Sequence, residues 1–267
     1  MEIRIVADEE QRGEVVADLV EQMLREAGSA PVTLGLATGS SPLPAYTELI
    51  RRHRENGLSF APVNAVLLDE YVGLPAEHEQ SYHRFIRDSF TAHIDIDDRA
   101  VLSPNGCAAD PDAEALAYDR RIREGGGVDL QILGIGSNGH IAFNEPGSSL
   151  ASRTRVVSLT RSTISDNARF FDSAQSVPQR AISQGLGTIG EARRIVLTAS
   201  GEAKAEAIAQ MAEGPVSARW PATTLQFHPD VTVVIDEAAA SRLELDDYSR
   251  LHREPGTAGA GADHTAR

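Results

Sequence analysis

Short runs of β-branched and aliphatic residues alternate along the chain with longer segments in which apolar residues recur at helical spacing. The apolar runs predict strands at residues 3–6, 32–37, 63–68, 128–134, 194–198 and 231–235. The amphipathic segments predict helices at residues 11–26, 42–55, 81–90, 113–124 and 203–212. Strands that alternate with helices are typical of βαβ units, so the pattern predicts an α/β fold with a mostly parallel sheet.

Residues 1–250 contain neither an internal repeat nor a strong linker, and we expect them to form a single domain. The last residues, 254–267, are small and polar, and their composition predicts a disordered tail. No apolar run approaches the roughly 20 residues of a membrane helix, and the first residues lack the pattern of a secretory signal. The single cysteine, Cys107, cannot form an internal disulfide. We therefore expect a cytoplasmic protein.

The charge balance excludes two classes of partner and singles out one side chain. A formal net charge of -14 disfavours binding to nucleic acid or to an anionic membrane. Of the 25 basic residues, only Lys204 is a lysine, and it lies at the start of a predicted helix. A cation there opposes the helix dipole, and an anionic ligand shared by Lys204 and the helix end would resolve that conflict. This placement favours a role for Lys204 in binding an anion.

The carboxyl ends of the predicted strands carry the candidate chemistry, because ligands of open parallel sheets bind there. The second strand runs into Thr38, Gly39, Ser40 and Ser41, which offer backbone N–H groups, hydroxyls and a helix start to an anion. The segment lacks the lysine of a nucleotide P-loop and the glycine spacing of a dinucleotide fingerprint. An ordinary capped turn between a strand and a helix is the alternative interpretation.

Two further strand ends carry groups suited to proton transfer. The third strand runs into Asp69 and Glu70, where burial could tune a carboxylate, although either residue could instead cap a helix or join an ion pair. The fourth strand runs into a glycine-rich loop with His140 and Glu145, close enough in sequence for the carboxylate to orient the imidazole. Nothing in the sequence completes a set of metal ligands, so we expect no metal site.

The segments LATGSSP, LLDEYVGL, GIGSNGHIAFNEPGSSLASRTR and LQFHPDVTVVIDE together resemble the glucosamine-6-phosphate deaminase family over residues 1–250. The resemblance implies a modified Rossmann-like three-layer α/β sandwich. It also implies the conversion of glucosamine 6-phosphate and water into fructose 6-phosphate and ammonia, a step in amino-sugar catabolism. The reaction proceeds by ring opening, aldose–ketose isomerisation and deamination, without a metal or an organic cofactor.

The resemblance also assigns roles to individual residues. Asp69 matches the base that moves a proton between C2 and C1, and His140 matches the ring-opening residue, supported by Glu145. Residues 159–178 resemble a mobile lid. The residues expected to hold the phosphate are Thr38, Gly39, Ser40, Ser41, Arg169 and Lys204.

The sequence departs from the allosteric members of the family at two positions. Asn138 stands beside the histidine where those members carry an aspartate, which shortens the charge relay of the histidine. Ser148 and Arg155 match residues that bind the N-acetylated sugar phosphate at a separate site, but Val157 stands where the lysine of that site is expected. The resemblance therefore predicts weak or absent activation by N-acetylglucosamine 6-phosphate.

Two other functions compete with this interpretation. A 6-phosphogluconolactonase would share the fold and a phosphorylated sugar, but it needs no enolisation base like Asp69. A sugar-phosphate sensor should carry a basic DNA-binding helix-turn-helix, for which this acidic chain has no spare segment. Family members include monomers and hexamers, and the chain is of the longer type, which favours a homo-oligomer.

Overall fold

The computed structural model describes residues 1–160, 163–164, 171, 177–245 and 249–251. The strands are β1 (Glu2–Val6), β2 (Val32–Leu36), β3 (Val63–Leu67), β4 (Asp69–Tyr71), β5 (Val101–Leu102), β6 (Leu130–Leu133), β7 (Arg155–Ser158), β8 (Arg180–Ser183), β9 (Arg194–Ala199), β10 (Val231–Asp236) and β11 (Ser249–Leu251). The α-helices are α1 (Glu9–Ala27), α2 (Leu43–Asn56), α3 (Tyr82–Ser89), α4 (Pro111–Glu124), α5 (Leu186–Ile189), α6 (Ala205–Glu213) and α7 (Glu237–Ala240). Short 3₁₀ helices lie at Thr91–His93, Asp98–Ala100, Glu202–Lys204 and Pro221–Phe227.

The predicted α/β fold is confirmed, and every predicted strand and helix has a counterpart whose ends agree within two residues. Strand β2 is buried at all five positions, as expected for an interior strand of a sheet that is covered on both faces. Helix α1 begins where the Asp8 side chain accepts a hydrogen bond from the N–H group of Gln11, and it ends at Gly28. Sequence pattern and capping chemistry therefore agree on these elements.

Among the described residues, the main sheet has eight parallel strands in the order β11-β1-β10-β9-β6-β2-β3-β5. The chain builds outwards from β2 to β3 and β5, then returns to place β6 on the other side of β2. It continues from β6 through β9 towards the opposite edge. The strand order therefore reverses between β2 and β6, and this switch point is where an open α/β sheet forms a ligand crevice.

A second sheet, which the sequence patterns did not predict, lies beyond the end of β3. Its antiparallel strands are in the order β4-β8-β7. Strand β4 follows β3 after a single intervening residue, Leu68. Strands of three or four residues are too short to carry a readable alternation of polar and apolar positions. The predicted strand end at Asp69 is therefore itself the first residue of a short strand.

Two buried tyrosine hydroxyls hold the carboxyl ends of β2 and β3. The Tyr46 hydroxyl donates to the carbonyl of Ala37 at 2.7 Å and accepts from the N–H group of the same residue at 3.0 Å. The Tyr118 hydroxyl makes the same pair of bonds with Leu67, at 2.7 and 3.1 Å. These bonds satisfy main-chain groups where the strands part, and they fix the chain just before Thr38 and Asp69.

The sequence predicted that Lys204 lies in the first turn of an α-helix, and this prediction is wrong. A 3₁₀ turn, Glu202–Lys204, comes first, and α6 begins at Ala205. The turn starts at Gly201, whose N–H group donates to both carboxylate oxygens of Asp236 at 3.0 and 3.1 Å. Lys204 is therefore positioned by a turn that is tied to the end of β10.

Several sequence predictions fall outside the described residues. The predicted tail, 254–267, lies there, as do Arg169 and most of the predicted lid, 159–178. Within the part of the chain that the structure describes, no helix is long and apolar enough to cross a membrane. The same residues contain no group of three or more His, Cys, Asp and Glu side chains arranged to hold a metal ion.

Candidate active site

A cavity of about 550 Å³ opens at the switch point, beyond the carboxyl ends of β2, β3 and β6. Its wall brings together residues that lie far apart in sequence and that the sequence analysis selected: Thr38, Gly39, Ser40, Ser41, Asp69, His140 and Lys204. Asn138, Glu145, Ser148 and Arg155 are not part of the wall. The cavity therefore combines a candidate anion site with two candidate proton-transfer groups.

The loop after β2 leads directly into α2. The helix starts after Pro42 without a side-chain cap, but its first turn offers few N–H groups, because Leu43 donates to the Ser40 carbonyl at 3.3 Å and Pro44 has none. The β6 loop runs close by, since a Cβ built on Gly134 would lie 3.7 Å from the Ser41 Cβ. The loop Thr38–Ser41, with the hydroxyls of Ser40 and Ser41, thus lines one cavity together with Lys204. This combination suits an anion such as a phosphate.

Asp69 carries a carboxyl group whose surroundings disfavour its charge. The residue is 6% exposed, and burial, reinforced by the negative charge of Glu70, raises its pKa to about 8. A carboxylate with a pKa near the working pH is a stronger base than an ordinary aspartate and can return the proton it takes. Asp69 therefore has the properties of a group that shuttles a proton.

Glu70, the next residue, faces away from Asp69 and caps a helix. Its Oε1 accepts from the N–H groups of Tyr71 at 2.8 Å and Tyr82 at 3.1 Å, and its Oε2 accepts from His83 at 3.0 Å. Tyr82 and His83 are the first two residues of α3. The sequence left open whether each of these carboxylates transfers a proton or caps a helix. Asp69 lines the cavity, and Glu70 caps the helix.

His140 is connected to Glu145 mainly through Asn138. The His140 Nδ1 lies 2.7 Å from the Asn138 Oδ1, and the Asn138 Nδ2 donates to the Glu145 Oε2 at 2.8 Å. The direct separation of His140 Nδ1 from Glu145 Oε2 is 3.7 Å. Because the Asn138 amide nitrogen is bonded to the carboxylate, its oxygen faces the ring and Nδ1 donates to it. In the neutral ring, Nε2 is then the basic nitrogen.

Glu145 also binds the start of the predicted lid. Its Oε1 accepts a hydrogen bond from the Thr163 hydroxyl at 2.6 Å, and Thr163 and Thr160 are 2.9 Å apart through their hydroxyls. Thr163 and Phe171 both contribute to the cavity wall. The described residues of this segment therefore contact both the cavity and the carboxylate behind His140.

The β6 loop leaves no room for a larger residue beside the imidazole. A Cβ built on Gly136 would lie 2.2 to 2.6 Å from three ring atoms of His140. Gly139 has φ 80°, and a Cβ there would lie 2.7 Å from Trp220. Glycine is needed at Gly136 because a Cβ has no space there, and at Gly139 because of both the positive φ and the lack of space. The glycines of this loop thus let His140 fold back against it.

An aromatic group on one side of the cavity was missed by the sequence analysis. The Tyr71 and Tyr82 hydroxyls lie 3.1 Å apart, and the Tyr82 ring stacks on Phe143 with centroids 5.9 Å apart. All three side chains line the cavity. Tyr71 stands two residues after Asp69, so the alternation of strand side chains would have placed both on one face had β4 been predicted.

Ser148 and Arg155 meet outside this cavity. The Arg155 guanidinium donates to the Ser148 hydroxyl at 3.3 Å and to the Asn144 Oδ1 at 2.8 Å. Burial lowers the pKa of Arg155. Val157, two residues along the same strand, packs against the apolar cluster of Tyr71, Phe143, Leu159 and Ala181. The structure therefore joins the two polar residues of the suspected effector site and places an apolar side chain beside them.

Comparisons with known proteins bear on this arrangement. The profile of the family described as glucosamine-6-phosphate isomerases/6-phosphogluconolactonase matches residues 7–234. A glucosamine-6-phosphate deaminase of Rhodococcus jostii (strain RHA1) is 58% identical to this chain over 254 residues, which cover 95% of this chain and 97% of that protein. Both matches span nearly all of the segment that we expected to form one domain.

Solved structures give the same result for the fold. The structure of a monomeric glucosamine-6-phosphate deaminase superposes with a TM-score of 0.88 and 42% identity, covering 91% of this chain and all of that one (100%). A 6-phosphogluconolactonase of Trypanosoma brucei superposes with a TM-score of 0.73 over 91% of this chain and 98% of its own, at 20% identity. At that identity the second likeness concerns the fold alone.

Proposed function

The chain belongs to the family of glucosamine-6-phosphate isomerases and 6-phosphogluconolactonases, and we propose that it is a glucosamine-6-phosphate deaminase. The observation that carries the proposal is the meeting, in one cavity, of the buried Asp69 and of His140 backed by Asn138 and Glu145. Two proton-transfer groups of different kinds suit a reaction that opens a sugar ring and then isomerises it. The 58% identity to a deaminase supports the same reaction.

In the proposed mechanism, His140 accepts a proton at Nε2 from the C1 hydroxyl and returns one to the ring oxygen, which opens the pyranose. Asn138 holds the ring in this tautomer, and Glu145 fixes Asn138. Asp69 then takes the proton from C2 and delivers it to C1, while the C1 oxygen gains the proton that the C2 nitrogen gives up. The nitrogen at C2 becomes an imine, water adds to it, and ammonia leaves as the ketone of fructose 6-phosphate forms.

The proposed phosphate site consists of the loop from Thr38 to Ser41, the start of α2, Lys204 and Arg169. Charge-assisted hydrogen bonds of this kind contribute about 1.5–3 kcal/mol each, which holds a dianion on an acidic protein. Arg169 lies outside the described residues and enters by the sequence resemblance alone. Closure of residues 159–178 over the cavity is part of the same proposal, supported by the contact of Thr163 with Glu145.

The function is tested by following two reactions with the purified protein. Ammonia and fructose 6-phosphate should form in equal amounts from glucosamine 6-phosphate, and hydrolysis of 6-phosphogluconolactone should stay at the uncatalysed rate. Since the lactonase shares the fold, the lactone is the most demanding control. Lactone hydrolysis without ammonia release would overturn the proposal.

Gly136→Ala should lower kcat/KM for ammonia release by about 10- to 100-fold, because the added methyl group would overlap the His140 ring and displace it from the position needed for proton transfer. Steady-state kinetics would measure the change. Gly125→Ala adds the same methyl group at the end of α4, where Gly125 has an ordinary helical φ of -73°, and it should keep the parental rate. Equal kinetics in the two variants would contradict the proposed role of the His140 loop.

N-Acetylglucosamine 6-phosphate should leave the rate unchanged. The Arg155 guanidinium is engaged with Ser148 and Asn144, and Val157 offers no cation to a phosphate. Initial rates against glucosamine 6-phosphate should follow the same hyperbola with and without millimolar amounts of the N-acetylated compound. A sigmoidal curve that becomes hyperbolic on its addition would show that Ser148 and Arg155 suffice for an effector site.

We propose a cytosolic location, where the exposed thiol of Cys107 would stay reduced. The assembly is open to a direct measurement. The similar deaminase of known structure is monomeric, whereas the sequence led us to expect a homo-oligomer. Light scattering of the full chain would distinguish the two.

A further inference from the structure

The Glu70 carboxylate is buried and is bonded to backbone N–H groups. The residue is 1% exposed, and among the described residues no arginine, lysine or histidine side chain forms an ion pair with it. Its oxygens instead accept three backbone N–H groups, those of Tyr71, Tyr82 and His83. The proposed mechanism gives this group no task, so its burial needs another explanation.

The three donors favour the charged form of Glu70. Burial raises its pKa above the ordinary value, and the backbone N–H groups oppose that rise. A protonated acid would turn a hydroxyl hydrogen towards one of three donors, whereas the carboxylate accepts all of them and also faces the positive end of α3. We therefore take Glu70 to be ionised at neutral pH and stabilised by dipoles rather than by a cation.

Dipoles stabilise a charge without cancelling its field at a neighbouring group. Asp69 and Glu70 are consecutive on β4, and the charge on Glu70 disfavours a second charge on the buried Asp69. An arginine partner would have neutralised Glu70 and removed this effect. The arrangement thus anchors a helix and retains a negative charge beside the cavity.

We propose that Glu70 is a positioning residue that acts on the reaction through Asp69. Its carboxylate holds the first turn of α3, which carries Tyr82, against the cavity, and it keeps a fixed negative charge beside the proton-transferring group. The inference rests on the proposed function, in which Asp69 is the base. It adds a reason why two consecutive carboxylates, rather than one, follow β3.

Other charged groups line the same cavity as Asp69. Lys204 and a protonated His140 favour the Asp69 carboxylate, whereas Glu79 disfavours it from an exposed, screened position. The neutral hydroxyls near Asp69 come from β4, α3 and α4, namely Tyr71, Tyr82 and Tyr118. Glu70 is the buried anion of this set, so its removal should have the larger effect on Asp69.

Glu70→Gln removes the charge and nearly keeps the shape. We expect the acidic limb of the pH profile of kcat/KM to move to lower pH by about one unit, as for a charge lost a few ångströms away. The titrations of the substrate are the same for both enzymes and cancel in the comparison. Glu70→Asp keeps the charge and should leave the limb within a few tenths of a unit of its original position, although its shorter side chain loosens α3.

Ser81→Ala is the matched control for the helix anchor. The Ser81 hydroxyl accepts from the Arg84 N–H group at 3.0 Å, so its loss weakens the start of α3 without changing a charge. The acidic limb of the kcat/KM profile of Ser81→Ala should coincide with that of the parent. A limb that stays in place in Glu70→Gln, or that moves equally in Ser81→Ala, would overturn the proposal.

A measurement without substrate separates this inference from the proposed function. Because the pKa of Asp69 is raised in the folded state, its contribution to stability is present below about pH 4 and is lost as the pH rises towards 8. The free energies of unfolding of the parent and of Asp69→Asn, measured in urea, should therefore diverge over that pH range. When Glu70→Gln is added to both proteins, the pH at which the divergence ends should be lower. An unchanged divergence would overturn the role of Glu70. An inactive parent enzyme would overturn only the deaminase function.

Discussion

Asp69→Asn should lower kcat for ammonia release from glucosamine 6-phosphate by about 10²–10⁴-fold, the usual contribution of a general base. The amide has nearly the same shape as the carboxyl group but cannot accept the proton from C2. Binding of the phosphate is remote from this change, so KM should change much less than kcat. Coupled assays of ammonia and of fructose 6-phosphate would measure both constants.

The same variant should alter the pH dependence of catalysis. The kcat/KM of the parent enzyme should rise with pH up to about 8, since burial raises the pKa of Asp69 to about that value and only the carboxylate accepts a proton. The residual activity of Asp69→Asn should lack this rise. Asp112→Asn, on the exposed first turn of α4, makes the same chemical change far from the cavity and should keep the parental rate and profile. Parental kcat in Asp69→Asn would remove Asp69 from the mechanism.

Lys204→Ala should raise KM for glucosamine 6-phosphate by about 10- to 100-fold, because a charge-assisted contact with a phosphate contributes about 1.5–3 kcal/mol. The loss of affinity for the phosphate is expected to be large because the protein carries a formal net charge of -14. No other lysine can replace Lys204. Steady-state kinetics with glucosamine 6-phosphate and with unphosphorylated glucosamine would localise the effect. The preference for the phosphorylated sugar should fall, while the rate with glucosamine stays the same.

Two variants control for the change in charge. Arg219→Ala removes one positive charge from an exposed residue outside the cavity wall, and it should leave KM unchanged. Lys204→Arg keeps the charge but replaces a compact ammonium by a planar fork, so it should recover only part of the affinity. An increase in KM of equal size in Arg219→Ala and Lys204→Ala would mean that overall charge, and not a contact at Lys204, governs binding.

The fold was predictable from the sequence where its elements are long. The run at residues 32–37 is apolar and β-branched because β2 is buried on both faces, and the alternation of such runs with helices fixes a parallel sheet. Parallel strands bring their carboxyl ends to one edge, so the residues that follow them were expected to meet. Thr38, Asp69, His140 and Lys204 do line one cavity.

Contacts between distant parts of the chain were not predictable. The antiparallel sheet of β4, β7 and β8 consists of strands of three or four residues, and β4 pairs with β8 across more than 100 positions of the chain, as from Asp69 to Ser183. The position of Asn138 between His140 and Glu145 depends on a loop conformation that spacing alone does not determine. The hydrogen bonds of Glu70 to α3 were not predictable either, because they depend on how that helix lies against β4 and not only on where it begins.

The alternation of side chains along β4 limits how this part of the chain can change during evolution. Consecutive residues of a strand point to opposite faces, so Asp69 reaches the cavity only while Glu70 reaches α3. One residue inserted or deleted at Leu68, between β3 and β4, would exchange the two faces and present the wrong carboxylate to the substrate. Homologues that retain the reaction should therefore keep the length of this junction, even where their surface loops lengthen or shorten.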